Sequence, residues 1–153
     1  MTNIDNVIKF FLSKEAMSPK KLQKLLYYAY SWTLALLNDS KDDLRTKLFD
    51  ERIEAWVHGP VIPSVYVKYK DYGWDEIPQE NSFDSNVFAA DVLDVLEQVW
   101  TVYGNMNGNK LEAICHRETP WINARAGIPP FEASHAIIKD SDIFEYYNEQ
   151  ASK

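Results

Sequence analysis

The residues best suited to making or breaking bonds lie close together late in the chain, at Cys115, His116 and Glu118. A thiolate nucleophile needs a nearby base, and the base needs an acid that orients it, so these types could form a Cys/His hydrolase site. Neighbouring residues on a helix point about 100° apart, however, so this spacing does not bring thiol and imidazole together. We therefore expect Cys115 to lie in the core beside Leu111 and Ile114, and His116 to face polar neighbours.

The chain has three histidines, His58, His116 and His135, which with the lone cysteine could supply four zinc ligands. None shows the paired short spacing of structural zinc sites. The sequence also lacks a glycine-rich phosphate loop, a Gly-x-Ser-x-Gly elbow and a His-Glu-x-x-His motif. We predict no metal, no cofactor and no catalytic residue. The remaining enzyme hypothesis uses His58, His116 or the thiol with a carboxylate such as Glu54 or Glu118.

Three lysines and three tyrosines stand close together at the start of a predicted helix, at Lys20, Lys21, Lys24, Tyr27, Tyr28 and Tyr30. Basic residues interleaved with aromatic residues are typical of proteins that bind single-stranded nucleic acid. The helical period places most of these tyrosines near the apolar stripe, which favours a solvent-exposed lysine face instead. The net charge of −7 repels phosphate backbones. A phage or mobile-element accessory that binds DNA or a host regulator through these lysines is the alternative function.

The most unusual segment is AWVHGPVIPSVY, residues 55–66, which gathers large and rigid side chains around one bend. Its Gly-Pro pair and second proline predict a defined turn without regular structure from His58 to Pro63. This segment either packs as an internal corner or presents a partner-binding edge, because preordered aromatic groups lose little entropy on binding. The candidate partner-binding residues are its large or rigid members, Trp56, His58, Pro60, Val61 and Tyr66.

The apolar periodicity predicts a mainly α fold of about five to seven helices, with a short β-hairpin or extended segment around residues 48–58. In the first half we predict helices from Asn3 to Lys14, from Pro19 to about Asn38 with Ser18 as cap, and from Pro63 to about Asp71. In the second half they run from Asp84 or Ser85 to Gly104, from Asn109 to Arg117, from Thr119 to Ala126 and from Ile143 to Gln150. Thr119 is the predicted cap of its helix, residues 72–84 form a surface loop, and residues 136–139 form an extended segment.

Composition limits the class of protein. With 46% hydrophobic and 14% aromatic residues, the chain has enough large apolar side chains to fold alone. One cysteine excludes an intrachain disulfide, and the N-terminus lacks the features of a secretion signal. The longest nearly apolar stretch, residues 25–37, is shorter than the ~20 residues of a membrane span. We expect residues 1–153 to form one compact cytoplasmic domain.

Three ordered stretches resemble the Panacea domain, a family also described as SocA-like or phage-associated. The family patterns K-L-Q-K-L-L-Y, E-A-W-x-x-G-P-V and H-x-E-x-P-W-x-x-A-R match Lys21 to Tyr27, Glu54 to Val61 and His116 to Arg125. We add Lys24, His116, Trp121 and Arg125 to the candidate partner-binding residues. For His116, Glu118, Trp121 and Arg125 the sequence favours a structural role over a functional one, because a buried tryptophan with a charged pair often fixes a helix junction.

The resemblance implies a mostly helical antitoxin of a type II toxin–antitoxin system. Such a protein neutralises a cognate toxin encoded nearby by binding it directly. In some members it acts as a proteolytic adaptor that delivers the toxin to an ATP-dependent protease. The resemblance therefore implies protein binding, not bond making, and predicts a toxin as the partner.

Overall fold

The computed structural model describes residues 1–153 and contains seven α-helices and one β-hairpin. In chain order these are α1 (Ile4–Lys14), α2 (Pro19–Leu36), β1 (Glu54–Trp56), β2 (Gly59–Val61), α3 (Pro63–Tyr69), α4 (Ala90–Tyr103), α5 (Gly108–Cys115), α6 (Thr119–Ala124) and α7 (Asp140–Ala151). Two 3-10 turns lie at Lys70–Tyr72 and Ser85–Val87. The predicted mainly α fold with a short hairpin is confirmed.

Helix α2 lies at the centre of the fold, and helices α1, α3, α4, α5 and α7 and strand β2 all pack against it. It begins as predicted, with Pro19 in its first turn and the Ser18 hydroxyl accepting a hydrogen bond from the Lys21 amide. Fourteen of its eighteen residues are buried, so its polar side chains need partners inside the protein. No helix, α2 included, combines the length and the apolar character that crossing a bilayer requires.

The predicted solvent-exposed lysine face of α2 is wrong. Lys21 and Lys24 retain only 8% and 2% of their exposure. The Lys21 ammonium lies 2.6 Å from both the Glu15 carboxylate and the Gly104 carbonyl, while Lys20 pairs at 2.6 Å with a carboxylate of α5. The lysines turn inward because α4, α5 and the hairpin pack around α2, which periodicity within one helix cannot reveal. The DNA-binding alternative therefore loses the basic face on which it depended.

Helix α4 starts later than the apolar spacing predicted. Its first residue is Ala90, and Asp84 instead accepts a hydrogen bond from the Asn86 amide in a 3-10 turn. Phe88 lies outside the helix but is buried, with its ring 6.1 Å from that of Phe10. An apolar residue at helical spacing thus reaches the core from an extended segment, which explains the wrong boundary.

Two other helix starts also differ from the prediction. Thr119 is the first residue of α6 and not its cap, because the flanking position belongs to Glu118, whose side chain is buried. Helix α7 begins at Asp140 rather than at Ile143, so Asp140 and Asp142 both lie in its first turn. Negative charge stabilises that end of a helix, since the unpaired amides there carry partial positive charge.

The hairpin corrects the prediction that residues 58–63 lack regular structure. Strand β2 pairs antiparallel with β1, placing Ala55 opposite Pro60 and Trp56 opposite Gly59. The predicted extended segment at residues 136–139 pairs with the other edge of β1, where the Ala55 amide donates to the Ala136 carbonyl at 2.8 Å. Proline is tolerated in β2 because this is an edge strand, where its missing N–H leaves no inner ladder bond unmade.

Candidate functional site

The late family motif holds strand β1 in place. The Trp121 indole donates to the Trp56 carbonyl at 2.9 Å, and the buried Arg125 guanidinium donates to the Ala55 carbonyl at 3.0 Å. Arg125 also donates to the Glu132 carbonyl at 2.6 Å. One side chain therefore ties the hairpin to the loop that follows α6.

The early motif, on α2, holds the other strand. The Gln23 amide group donates to the Ile62 carbonyl at 3.1 Å and accepts from the Ile62 amide at 2.9 Å. The Lys24 ammonium donates to the Pro60 carbonyl at 3.1 Å. Buried backbone groups need such partners, and an edge strand does not supply them all. Two motifs far apart in sequence thus fix one short hairpin from both strands.

Glu54, the first residue of the hairpin motif, fixes the Trp56 ring. Its buried carboxylate accepts hydrogen bonds from the Trp56 indole at 2.9 Å and from Arg52 at 2.7 Å, and His135 Nδ1 lies 3.0 Å away. Burial by itself would raise the pKa of Glu54, but these three hydrogen bonds outweigh it and lower the pKa. The ionised carboxylate is therefore the favoured form, and it orients the indole.

Gly59 permits the close approach of α2 to the hairpin. Its φ is 106°, a conformation that favours glycine, and a Cβ atom there would lie 2.8 Å from Lys24 Cε. We expect Gly59→Ala to lower the free energy of unfolding by about 3 kcal/mol, measured by urea denaturation. Gly127 is the matched control, because its φ is 82° and a Cβ atom would meet nothing within 4 Å.

Gly127→Ala should cost about 1 kcal/mol, the backbone contribution alone. Combining Gly59→Ala with Lys24→Ala should recover part of the loss, because shortening the lysine removes the steric conflict. Equal costs for the two glycine substitutions would show that the contact with Lys24 contributes nothing.

The outer face of the hairpin forms one wall of an open groove of about 430 Å³, which we call the hairpin groove. The other walls of the groove are formed by helix α3, by the start of α2 and by the start of the loop after Tyr72. Five of the nine predicted partner-binding residues line it, namely Lys24, Trp56, His58, Val61 and Tyr66. The other four support the hairpin from behind or within it, namely Pro60, His116, Trp121 and Arg125.

Aromatic rings dominate the groove surface. The Trp56 ring lies edge-on to Tyr66 with 5.0 Å between ring centroids, and Tyr66 is 39% exposed. Trp74 is 83% exposed, and the Lys20 ammonium lies 5.5 Å from its ring centroid. Trp74 was not among the predicted partner-binding residues, because residues 72–84 were predicted only as a surface loop. A tryptophan among turn-forming residues, without apolar neighbours in sequence, was the available signal.

Glu112 on α5 organises the polar edge of the groove. Its carboxylate lies 2.6 Å from the Lys20 ammonium and 3.0 Å from His58 Nδ1. Burial by itself would raise the pKa of Glu112, but the hydrogen bonds from Lys20 and His58 outweigh it and lower the pKa. Glu112 thereby holds two side chains of the groove in place, Lys20 from α2 and His58 from the hairpin turn.

The Cys–His nucleophile pair is not formed. Cys115 is fully buried as predicted, its thiol donates to the Tyr28 hydroxyl at 3.3 Å, and burial raises its pKa to about 12. A thiol with such a pKa stays protonated and is a poor nucleophile. The His116 ring stacks on Trp121 with 4.3 Å between centroids, and its buried Nε2 makes no hydrogen bond. No three His, Cys, Asp or Glu side chains are grouped to hold a metal ion.

Glu118, the acidic residue of the late motif, is buried beneath these residues. Its carboxyl oxygen accepts hydrogen bonds from the hydroxyls of Tyr28 on α2 at 2.9 Å and Tyr147 on α7 at 2.8 Å. Burial raises the pKa of Glu118 despite these two bonds. Glu118 therefore joins three elements of the core and takes no part in the hairpin groove.

The raised pKa of Glu118 predicts a pH-dependent stability. A folded-state pKa above the unfolded value of 4.5 contributes stability that is complete below pH 4.5 and is lost as pH rises through the folded pKa. We expect the free energy of unfolding of the wild-type chain, minus that of Glu118→Gln, to decrease from pH 4.5 to neutral pH. Urea denaturation over that range measures it. Glu149→Gln, at an exposed position of α7, should give a flat difference, and a similar slope in both variants would contradict the assignment.

Comparison with known proteins identifies the family. Residues 22–122 match the family described as antitoxin SocA-like, Panacea domain. No curated protein and no solved structure matches the chain. The matched range covers well over half of the sequence and includes α2 from Leu22 on, the hairpin and the whole of α5. This chain therefore belongs to the SocA-like antitoxin family that the Panacea domain defines.

Proposed function

We propose that this chain is the antitoxin of a type II toxin–antitoxin system and neutralises its toxin by binding it in the hairpin groove. One observation carries the proposal. The family motifs, which are distant in sequence, place Gln23, Lys24, Trp121 and Arg125 around one hairpin, whose free face lines the groove. A recognition surface fixed before binding loses less entropy when the complex forms. Residues 1–153 act in this proposal as one antitoxin domain.

The groove is suited to gripping a protein segment. Its aromatic side chains, Trp56, Tyr66 and Trp74, supply large contact areas on few rotatable bonds, and tryptophan and tyrosine are enriched among residues that dominate binding energy. The family indicates a non-catalytic protein. The buried, protonated thiol of Cys115 agrees with that role. Neutralisation would then follow from covering the toxin's active surface.

Co-expression with the neighbouring gene tests this proposal. The wild-type chain should restore growth and co-purify with the gene product. Tyr66→Glu, which places a negative charge in the aromatic part of the groove, should abolish both. Val67→Glu is the matched control on α3, because Val67 is 67% exposed and does not line the groove. Failure of the wild-type chain to rescue growth, or equal rescue by both variants, would exclude binding in the groove.

A second apolar groove favours an additional role as a proteolytic adaptor. This groove of about 290 Å³ lies at the other end of α2 and is lined mainly by apolar residues, among them Trp32, Leu36, Val99 and Val102. The two grooves share no lining residue, so two partners can contact the chain at different sites. An adaptor needs two such surfaces. For the adaptor role that the family resemblance implies, we propose that the second groove contacts a subunit of an ATP-dependent protease.

The toxin's half-life tests the adaptor role. The wild-type chain should shorten the half-life in cells, and Val102→Asp should restore it while leaving toxin binding intact, because Val102 is 58% exposed and does not line the hairpin groove. An unchanged toxin half-life together with full neutralisation would restrict the mechanism to steric blocking.

A further inference from the structure

The hairpin groove has a charge opposite to that of the protein as a whole. The chain carries 23 acidic and 16 basic residues, a net charge of −7. The groove lining nevertheless includes Lys20, Lys24 and Lys70, and the one carboxylate at its edge, that of Glu112, is already paired with Lys20. Charges that line a concave apolar surface produce a stronger electric field inside the concavity, which attracts ligands of opposite charge. The groove is therefore a local positive site on an acidic molecule.

Lys24 has more hydrogen-bonding capacity than the fold uses. Its side chain is 98% buried and its ammonium, which can donate three hydrogen bonds, makes one, to the Pro60 carbonyl. Lys20 and Lys21 each pair with a carboxylate at 2.6 Å, whereas Lys24 forms no ion pair. Burial lowers the pKa of Lys24 to about 8, and attraction to the Glu112 carboxylate, with which it makes no ion pair, offsets only part of that shift.

A buried cation without a counterion is costly to the fold. An uncharged side chain of similar length would fill the same space without that cost. Lys24 is among the residues that line the groove, and its single bond to Pro60 leaves the other donors of the ammonium without an acceptor in the chain. Lys24 thus lies where an incoming anion would complete its hydrogen bonding and compensate its charge.

We propose that the hairpin groove binds a carboxylate-bearing segment of the toxin, whose carboxylate pairs with the Lys24 ammonium while a neighbouring apolar side chain packs on Trp56, Tyr66 and Trp74. This inference rests on the proposed function and specifies the chemistry of the partner. The exposed Lys70 adds attraction at the rim. A charge-assisted hydrogen bond formed inside a groove is stronger than one in open solvent.

A protein carboxylate fits this site better than a nucleic acid does. A nucleic-acid strand carries a phosphate at every nucleotide, and the net charge of −7 repels such a polyanion along its length. Of the three groove lysines, Lys20 is already paired with Glu112. The two other lysines, Lys24 and Lys70, suit a ligand with one or two negative charges beside apolar groups.

Selection from a random peptide library displayed on phage tests the inference with the full chain as bait. Peptides enriched on the wild-type chain should carry aspartate or glutamate next to a large apolar residue. A synthetic enriched peptide should lose about tenfold in affinity when its acidic residue becomes the amide, and about tenfold on Lys24→Met. Applying both changes together should cost little more than either alone, since both remove the same pair. Lys9→Met, at an exposed position on α1, is the control and should leave affinity unchanged.

Thermal denaturation tests whether Lys24→Met is folded. Lys70→Gln, at an exposed position, is a second variant that should weaken peptide binding even if Lys24→Met does not fold. No enrichment, enrichment without acidic residues, or equal affinity for the acidic and amide peptides would overturn the inference. Displacement of the peptide by a labelled single-stranded oligonucleotide, with steep salt dependence, would overturn it in favour of nucleic acid.

Toxin binding in the groove and carboxylate binding by Lys24 can be disproved independently of each other. If growth rescue depends on Tyr66 but the acidic peptides show no dependence on Lys24, the groove binds the toxin by other chemistry. If the peptides behave as expected but Tyr66→Glu still rescues growth, the carboxylate site is real and the toxin binds elsewhere.

Discussion

Replacing Arg125 with methionine is expected to lower the free energy of unfolding by about 3 kcal/mol. The buried guanidinium donates to the carbonyls of Ala55, Pro129 and Glu132. Hydrogen bonds to a charged group are stronger than neutral ones, and their loss leaves the buried Ala55 carbonyl without a donor. Urea denaturation measures the loss, and faster amide exchange in β1 should accompany it.

Arg125→Lys should recover little of this stability, because an ammonium cannot reproduce the fork that spans the hairpin and the loop at residues 129–132. Arg45→Met is the control, since the Arg45 side chain is 85% exposed and pairs only with Asp43, so a change within about 0.5 kcal/mol is expected. If Arg125→Met were as stable as the control, the late motif would not support the hairpin.

Trp74→Ala is expected to weaken toxin binding by about thirtyfold without changing the stability of the free chain. Trp74 is 83% exposed on the rim of the hairpin groove, so folding depends little on it. A partner would cover its indole and remove that apolar surface from water. Calorimetric titration with the purified toxin measures the affinity, and thermal denaturation measures the stability.

Phe131→Ala is the matched control for Trp74→Ala. Phe131 is also an aromatic residue, 91% exposed, in the loop after α6, and it does not line the groove. Its removal should leave toxin affinity unchanged. Similar losses in the two variants would mean that general surface hydrophobicity, and not the groove, determines binding.

Local signals in the sequence were sufficient for most of the fold. Ser18 and Pro19 predicted the start of α2, and the helical spacing of apolar residues predicted α1 and the body of α4. Trp56 and its neighbours on the bend identified the segment that lines the groove. These features depend on contacts within a few residues, which a sequence displays directly.

The remaining features depend on contacts between distant parts of the chain. Lys24 was predicted to be solvent-exposed, but the hairpin and α5 pack around it and leave only 2% of it exposed, and Gly59 leaves the room for it. Trp74 joins the groove only because the chain returns past the start of α2 after α3. Neither fact follows from periodicity, since both require knowing which elements become neighbours.

The arrangement also separates the two roles that the sequence left open for the motif residues. Trp121 and Arg125 lie behind the hairpin and bind its backbone, whereas Trp56 and Tyr66 face the groove. Substitutions behind the hairpin should therefore affect stability first and binding only as a consequence. Substitutions in the groove should do the reverse.

Hydrogen–deuterium exchange of the chain, alone and in complex with its toxin, tests the central claim most directly. Our account predicts that toxin slows amide exchange across residues 56–74, the hairpin turn, α3 and the segment up to Trp74. Exchange in the exposed loop around Phe131 should remain unchanged. A stable complex that leaves exchange at residues 56–74 unaltered, with protection confined to other surfaces, would contradict the account.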